Sequence, residues 1–221
     1  MQRDGGSKLK ELLLEGRPYS IDKQQILQST ESREVVNIII SGFVRKYLVT
    51  NDGSIGVQII YGPGDIFPLT LTYEKLFNQK LYGGVETFFY EAMCPTEVRT
   101  IDVGRLVEAV QKDERLYMDL FQEAGRHLEF CIQSLENVSL RNSGKRIAHF
   151  LLYFAKKFGI QTKDGIRIDM PLSHQNIAEV LSVTRETVST CIVRLRKEGL
   201  LKTDKGIVIP NLKKLEEEAY S

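Results

Sequence analysis

The segment Pro171–Gly199, PLSHQNIAEVLSVTRETVSTCIVRLRKEG, constrains this chain more than any other. Its apolar residues fall at helical spacing twice, with a short break between. Ile177, Val180 and Leu181 make one stripe, and Val188, Ile192 (or Val193) and Leu195 make the next. Thr184 stands just before the second stripe, where a Thr hydroxyl can accept from the free N–H groups of a helix's first turn. Arg185, Glu186, Ser189 and Thr190 then project from the start of that second helix. A hairpin serving only a core has no need for four polar or charged groups crowded at one helix start. Two short helices, a tight turn and a polar face at the second N-terminus predict a helix-turn-helix. The second helix of such a motif reads base edges in the DNA major groove.

Net charge by itself hides this. The 221 residues carry a formal charge of only +1. Its distribution is uneven. Residues 143–221 hold 14 Lys and Arg against 9 Asp and Glu, whereas residues 1–142 hold 16 against 20. An acidic front half therefore carries a basic back half, which suits a module that meets phosphates.

Cys94, Cys131 and Cys191 lie far apart, with no CxxC and no Cys/His cluster, so no metal site is expected. That usage fits a reducing, cytoplasmic setting. The start, MQRDGGSKLKELLLEG, has no apolar stretch of signal-peptide length, and no run approaches about 18 apolar residues. No membrane partner is expected. No Ser/His/Asp or Cys/His set and no phosphate-cradling loop appears, so an enzyme is not expected either.

The front half reads as β-structure after one amphipathic helix, about Ser7 to Glu15, that stops at Gly16. Runs at Glu34–Ser41, Phe43–Thr50 and Ser54–Tyr61 are β-branched or alternating, and are separated by Ser-Gly, Asn-Asp-Gly and Gly-Pro-Gly-Asp. Tyr82 to Met93 and Thr96 to Ile101 continue the pattern, which predicts a small barrel or roll. Leu71 to Gln79 reads as a short helix or an irregular excursion.

Beyond Asp102 the pattern becomes helical, first at Gly104 to Gln111 and then from about Asp113 to Leu140. In the longer segment Tyr117, Phe121, Ala124, Leu128, Cys131, Leu135 and Val138 recur at spacings of 4, 3, 4, 3, 4 and 3. That is an a/d seam, which predicts pairing with a second copy of the same helix. Arg141–Gly144 reads as a hinge, Lys145 to Phe158 as a helix and Gly159–Gly165 as a polar loop. Ile166 to Asp169 reads as a strand. Leu200–Thr203 and Gly206–Ile209 read as a hairpin wing joined through Asp204-Lys205, and Asn211 to Ala219 as a terminal helix.

This order of parts resembles the cyclic-AMP receptor protein/FNR (CRP/FNR) family of bacterial transcription regulators, from Tyr19 onward. Ile177-Ala-Glu-Val-Leu-Ser-Val-Thr-Arg-Glu-Thr-Val-Ser189 and Val57-Gln-Ile-Ile-Tyr-Gly-Pro-Gly-Asp-Ile-Phe67 carry the resemblance most specifically. It implies an α+β chain in three segments. Residues 1–112 would form an effector-sensing β-roll with the cupin-like, cyclic-nucleotide-binding-domain fold. Residues 113–142 would form the dimerisation helix and hinge, and residues 143–221 the winged helix-turn-helix.

The resemblance also implies roles. Arg185 and Glu186 match the family's base-reading pair, since Arg can bond guanine bidentately and Glu can accept from cytosine N4. Ser189 matches a position that reads bases in some members, and Thr190 stands where many members carry a second Arg. Lys145, His174, Arg194, Arg196, Lys197, Lys202 and Lys205 become phosphate candidates. The partners implied are double-stranded DNA with an inverted repeat, a second copy of the chain, and RNA polymerase at Gly159–Gly165.

The effector pocket departs from the family pattern. Pro68-Leu69-Thr70 replace Gly-Glu-Leu, Glu86-Thr87 replace the Arg-Ser or Arg-Thr that holds a cyclic phosphate, and Cys131-Ile132 replace the adenine-reading hydroxyl pair. A Glu in place of that Arg repels a phosphate, so cyclic AMP is not expected. The N-terminal cysteine cluster of the iron–sulfur sensors is absent, and His127, His149 and His174 are widely separated, so no cofactor is assigned. The pocket residues implied are Ile59, Pro68, Leu69, Glu86, Thr87, Leu128, Cys131 and Ile132. Their mostly apolar character points to a hydrophobic or weakly acidic organic effector, or to none.

Overall fold

The computed structural model describes residues 7–28, 34–50, 53, 55–80, 88–140, 142–203 and 206–220, and divides the chain into two compact units, Met1–Phe130 and Cys131–Ser221. The first opens with α1 (Lys8–Leu14), whose Ser7 cap accepts from Lys10 N–H. Strands β1 (Arg17–Ile21), β2 (Ile26–Gln28), β3 (Val35–Ser41), β4 (Val44–Val49), β5 (Ile55–Tyr61) and β6 (Ile66–Phe67) follow. Then come α2 (Thr70–Phe77), β7 (Phe89–Ala92), β8 (Thr96–Asp102), α3 (Val103–Lys112) and α4 (Glu114–Ser139). The excursion at Leu71–Gln79 is thus a helix.

The strands form two antiparallel sheets ordered β1-β8-β3-β6 and β2-β7-β4-β5. Strand alternation divides the core in two. Ile39, Val44, Tyr61, Phe67, Tyr90 and Val98 pack into one cluster. Val36, Ile38, Ile66 and Leu69 join Leu9 and Leu13 of α1, Leu106 of α3 and Leu120 of α4 in the other. Each fully buried Leu there stabilises the fold by about 1.5–3 kcal/mol. Asp119 of α4 fastens the start of α1, accepting from Leu9 N–H and Ser7 Oγ at 3.0 Å each.

The second unit contains α5 (Ser143–Phe158), β9 (Gly159–Thr162), β10 (Gly165–Ile168), α6 (His174–Leu181), α7 (Arg185–Lys197), β11 (Val208–Ile209) and α8 (Leu212–Tyr220). Two expectations need correction. The helix expected from Lys145 begins earlier, because Asn142 Oδ1 accepts from Gly144 N–H at 2.7 Å and so draws Ser143 and Gly144 into α5. Gly159–Gly165 is a strand, a turn and the start of a second strand, with Ile166 opposite Gln161 and Thr162 opposite Gly165. Gly165 sits at φ +124°, and a Cβ there would meet Ile209 O at 2.2 Å, so β10 and β11 approach only with glycine at this point.

The wing is also slighter than the sequence predicts. Its first strand is reduced to a bridge between Lys202 and Val208, while β11 pairs with β10 in the order β11-β10-β9. Residues 204 and 205 lie outside the described residues.

Candidate nucleic-acid interface

The start of α6 is held by a capping box. Ser173 Oγ accepts from Asn176 N–H at 3.1 Å, and Asn176 Oδ1 accepts from Ser173 N–H at 3.0 Å. Ile177, Ala178 and Leu181 are buried, while Val180 is half-buried. Ser182 adopts φ 50°, ending α6 so that the chain turns sharply into Thr184. Thr184 Oγ1 accepts from Thr187 N–H at 3.1 Å, the N-cap that the sequence indicates. Val188, Ile192 and Leu195 then face the core and Val193 faces solvent, which settles the choice between Ile192 and Val193.

With that face buried, the opposite face of α7 is defined. Arg185, Glu186 and Thr190 are exposed and Ser189 is half-buried, at helical offsets that put all four on one side of its N-terminal half. His174, the first residue of α6, brings Nδ1 to 2.8 Å from Ser189 Oγ. Arg146 of α5 donates through Nη2 to Leu181 O, tying α5 to the last turn of α6. Gly144 lets α5 close on α7, since a Cβ there would lie 3.0 Å from Arg194 Nη2 and 3.6 Å from Cys191 Sγ. Burial pushes the Cys191 thiol up from its ordinary pKa, so this cysteine acts as a packing residue.

The cations divide into two sets. Arg196 and Lys197 are exposed at the end of α7, and Lys145 is half-buried in the first turn of α5. Arg194 is ion-paired within the second unit. Its guanidinium meets Glu198 at 3.1 Å and Glu218 of α8 at 2.6 Å, so a phosphate would compete with two carboxylates for it. Lys202 pairs with Asp164 at 2.7 Å, and Lys205 lies outside the described residues.

A family model, the Crp-like helix-turn-helix domain, matches residues 145–218. The global nitrogen regulator of Synechocystis sp. is 31% identical over 165 residues, covering 72% of this chain and 73% of that protein. The chain belongs to the CRP/FNR family. FixK2 from Bradyrhizobium japonicum shares the fold with a TM-score of 0.75 at 23% identity, over 91% of this chain and 96% of that one. A CooA mutant from Carboxydothermus hydrogenoformans does so with a TM-score of 0.72 at 24% identity, over 95% and 90%. As a CRP/FNR protein the chain is a DNA-binding transcription regulator rather than an enzyme.

Helix α4 of this CRP/FNR chain divides its residues between buried and exposed sides. Its inward side carries Leu116 and Leu120, and the buried Glu123, whose carboxyl is raised from its ordinary pKa by desolvation against the pull of Arg126 and Lys10. The seam residues lie on other sides. Phe121, Leu128 and Leu135 are 67%, 61% and 70% exposed, and Tyr117 and Cys131 are exposed too. Ala124 is half-buried, and the side chain of Val138 lies outside the described residues.

Six of the implied pocket residues of this CRP/FNR chain are among the described residues. Leu69 is 1% exposed and belongs to the core under α1 and α3, because the chain turns into α2 immediately after it. Pro68 is buried, and Ile59 packs against the cluster inside the roll. Leu128, Cys131 and Ile132 are exposed along α4, and Glu86 and Thr87 lie outside the described residues. Inside the roll, the Phe67 ring stacks on both Tyr61 and Tyr90 at centroid distances of 5.3 and 5.5 Å, those two rings lie 6.3 Å from each other, and His127 of α4 meets Tyr61 edge-on at 5.9 Å.

Sequence reasoning missed Lys46. It pairs in register with Tyr90 and Ile59, is 4% exposed, and holds its ammonium 3.9 Å from the Phe88 ring centroid. A charged residue on the inward side of an apolar strand was the available signal. Among the described residues no group of three His, Cys, Asp or Glu could hold a metal, and no helix is long and apolar enough to cross a membrane.

Proposed function

We propose that this regulator acts as a homodimer on an inverted repeat, with Arg185, Glu186, Ser189 and Thr190 of each copy facing bases. His174, Lys145 and Lys197 face phosphates. The observation that carries the dimer is the apolar stripe Tyr117–Phe121–Leu128–Leu135 along α4, exposed at the heptad spacing that paired helices bury. Two copies related by a twofold axis present two recognition helices, so half-site centres lie about 10–10.5 bp apart. Sequencing of sites selected from random duplexes tests this. An inverted repeat is expected, and a single unpaired site would overturn the dimeric reading.

The chain is organised, in this proposal, as a sensor roll, a pairing helix and a DNA-binding module. Control is by an organic acid held in the roll. The Lys46 ammonium, 3.9 Å from the Phe88 ring centroid on a residue 4% exposed, is a cation of the roll that such an acid would meet. Control requires that the effector bind the DNA-competent state more tightly than the other. Aromatic carboxylic acids titrated against the wild type and Lys46→Met should raise melting temperature only in the wild type. A second reading, regulation without an effector, draws on the Tyr61–Phe67–Tyr90 stack that occupies the roll. Protein unresponsive to every acid would favour it.

The β9–β10 hairpin is the proposed contact with RNA polymerase, with Ile160 and Gln161 exposed on it. Ile160→Ser should keep DNA affinity and lose activation in a transcription assay.

A further inference from the structure

A serine hydroxyl facing a base edge can donate or accept, because its proton rotates, so Ser is an indifferent reader of bases. Ser189 is not free in this way. Its Oγ is 2.8 Å from His174 Nδ1, across the interior angle of the helix-turn-helix. One of its hydrogen bonds is therefore already spoken for, and the direction of that bond determines what is left for DNA.

We infer that His174 is a positioning residue that makes Ser189 an acceptor toward DNA, so that each half-site requires adenine or cytosine at one position. The inference rests on the reading that the N-terminal half of α7 faces the bases. His174 begins α6, the helix that crosses the sugar–phosphate backbone in this motif. Its second ring nitrogen, Nε2, meets a phosphate oxygen only by donating, because phosphate oxygens accept. In a neutral imidazole one nitrogen carries the proton and the other accepts. In the neutral ring a proton on Nε2 makes Nδ1 the acceptor, so Ser189 O–H donates to His174, whereas in an imidazolium both nitrogens donate and the direction reverses. Only the lone pairs of Ser189 then remain for the groove. The major-groove donors are adenine N6 and cytosine N4, whereas thymine O4 and guanine O6 and N7 accept and would face the serine lone pairs.

Sites selected from random duplexes by wild type, His174→Ala and Ser189→Ala decide the matter. The wild type should recover a repeat with one position per half-site restricted to adenine or cytosine. His174→Ala should keep the other positions and lose that preference by roughly 3- to 10-fold, the effect of one neutral hydrogen bond. Ser189→Ala should lose it at the same position. Nitrogen-15 shifts of the His174 ring in the wild-type complex with DNA give a readout that needs no variant, and the Nε2–H tautomer is expected. A wild type that selects no motif would remove the DNA-facing premise itself. A wild-type motif left unchanged by His174→Ala, or an Nδ1–H ring, would overturn the relay alone.

Discussion

Arg194 Nη2 lies 2.6 Å from Glu218 Oε1, so the recognition helix α7 is tied to the terminal helix α8 by an ion pair. The same guanidinium reaches Glu198 one turn along α7. A cation held between two carboxylates has little left to offer a phosphate. Arg194→Ala should therefore leave the slope of log affinity against log salt unchanged, whereas Lys197→Ala should reduce it by about 1. Fluorescence anisotropy across a salt series measures both. Equal losses would mean that Arg194 leaves its carboxylates on DNA.

The partly exposed Arg194–Glu218 pair should contribute modestly to stability. Glu218→Ala is expected to cost about 0.2–1 kcal/mol in urea unfolding, the range of solvent-screened pairs. Leu215 and Ala219 are fully buried and hold α8 without it, so Leu215→Ala should cost more, about 2–5 kcal/mol.

Base reading separates Arg185 from Thr190. Arg185→Ala should weaken binding by about 1–3 kcal/mol and relax selectivity at one position of each half-site. Thr190→Arg adds a fork at an exposed position on the same face, and should create a guanine preference that the wild type lacks. Binding-site selection with both variants reads the two effects side by side.

The stripe on α4 predicts a change of mass. Leu128→Asp together with Leu135→Asp places charges on two strongly exposed positions, so the fold should survive while self-association is lost. Sedimentation velocity should show monomers with unchanged circular dichroism. A dimer retained in this variant would place the pairing surface elsewhere.

His149 gives the DNA-binding module a pH dependence. It is buried in α5 beside Glu136 and the Tyr220 ring, and desolvation lowers its pKa below the ordinary 6.5, with Glu136 pulling the other way. The unfolded chain therefore takes up a proton at a higher pH than the folded one. Stability is unaffected above about pH 7 and falls as pH drops through 6.5 toward the lowered folded value. His149→Gln should flatten that limb, as denaturant midpoints between about pH 7.5 and 5.5 would show.

Much of this was legible in the residues themselves. Thr184 caps α7, the strands run nearly where β-branched residues alternate, and Val188 and Leu195 turn inward. Each depends on neighbours within a turn of helix or along one strand. Less was legible where a segment's state depends on a remote partner. Gly159–Gly165 is polar enough to read as a loop, yet β10 pairs with both β9 and β11 and makes it strand. Asn142 caps α5 and starts it at Ser143, two residues before the sequence pattern begins it.

The sequence by itself determined the helix-turn-helix, the heptad stripe and the charge division, because periodicity, capping and composition act locally. Only the tertiary structure decided which groups remain available. It paired Arg194 with Glu218, set His174 against Ser189, turned Leu69 into the core under α1 and put Lys46 over the Phe88 ring. The physical reason is that a side chain's chemistry is set by what it touches. Those contacts join residues from 15 to 60 positions apart, beyond the reach of any local pattern.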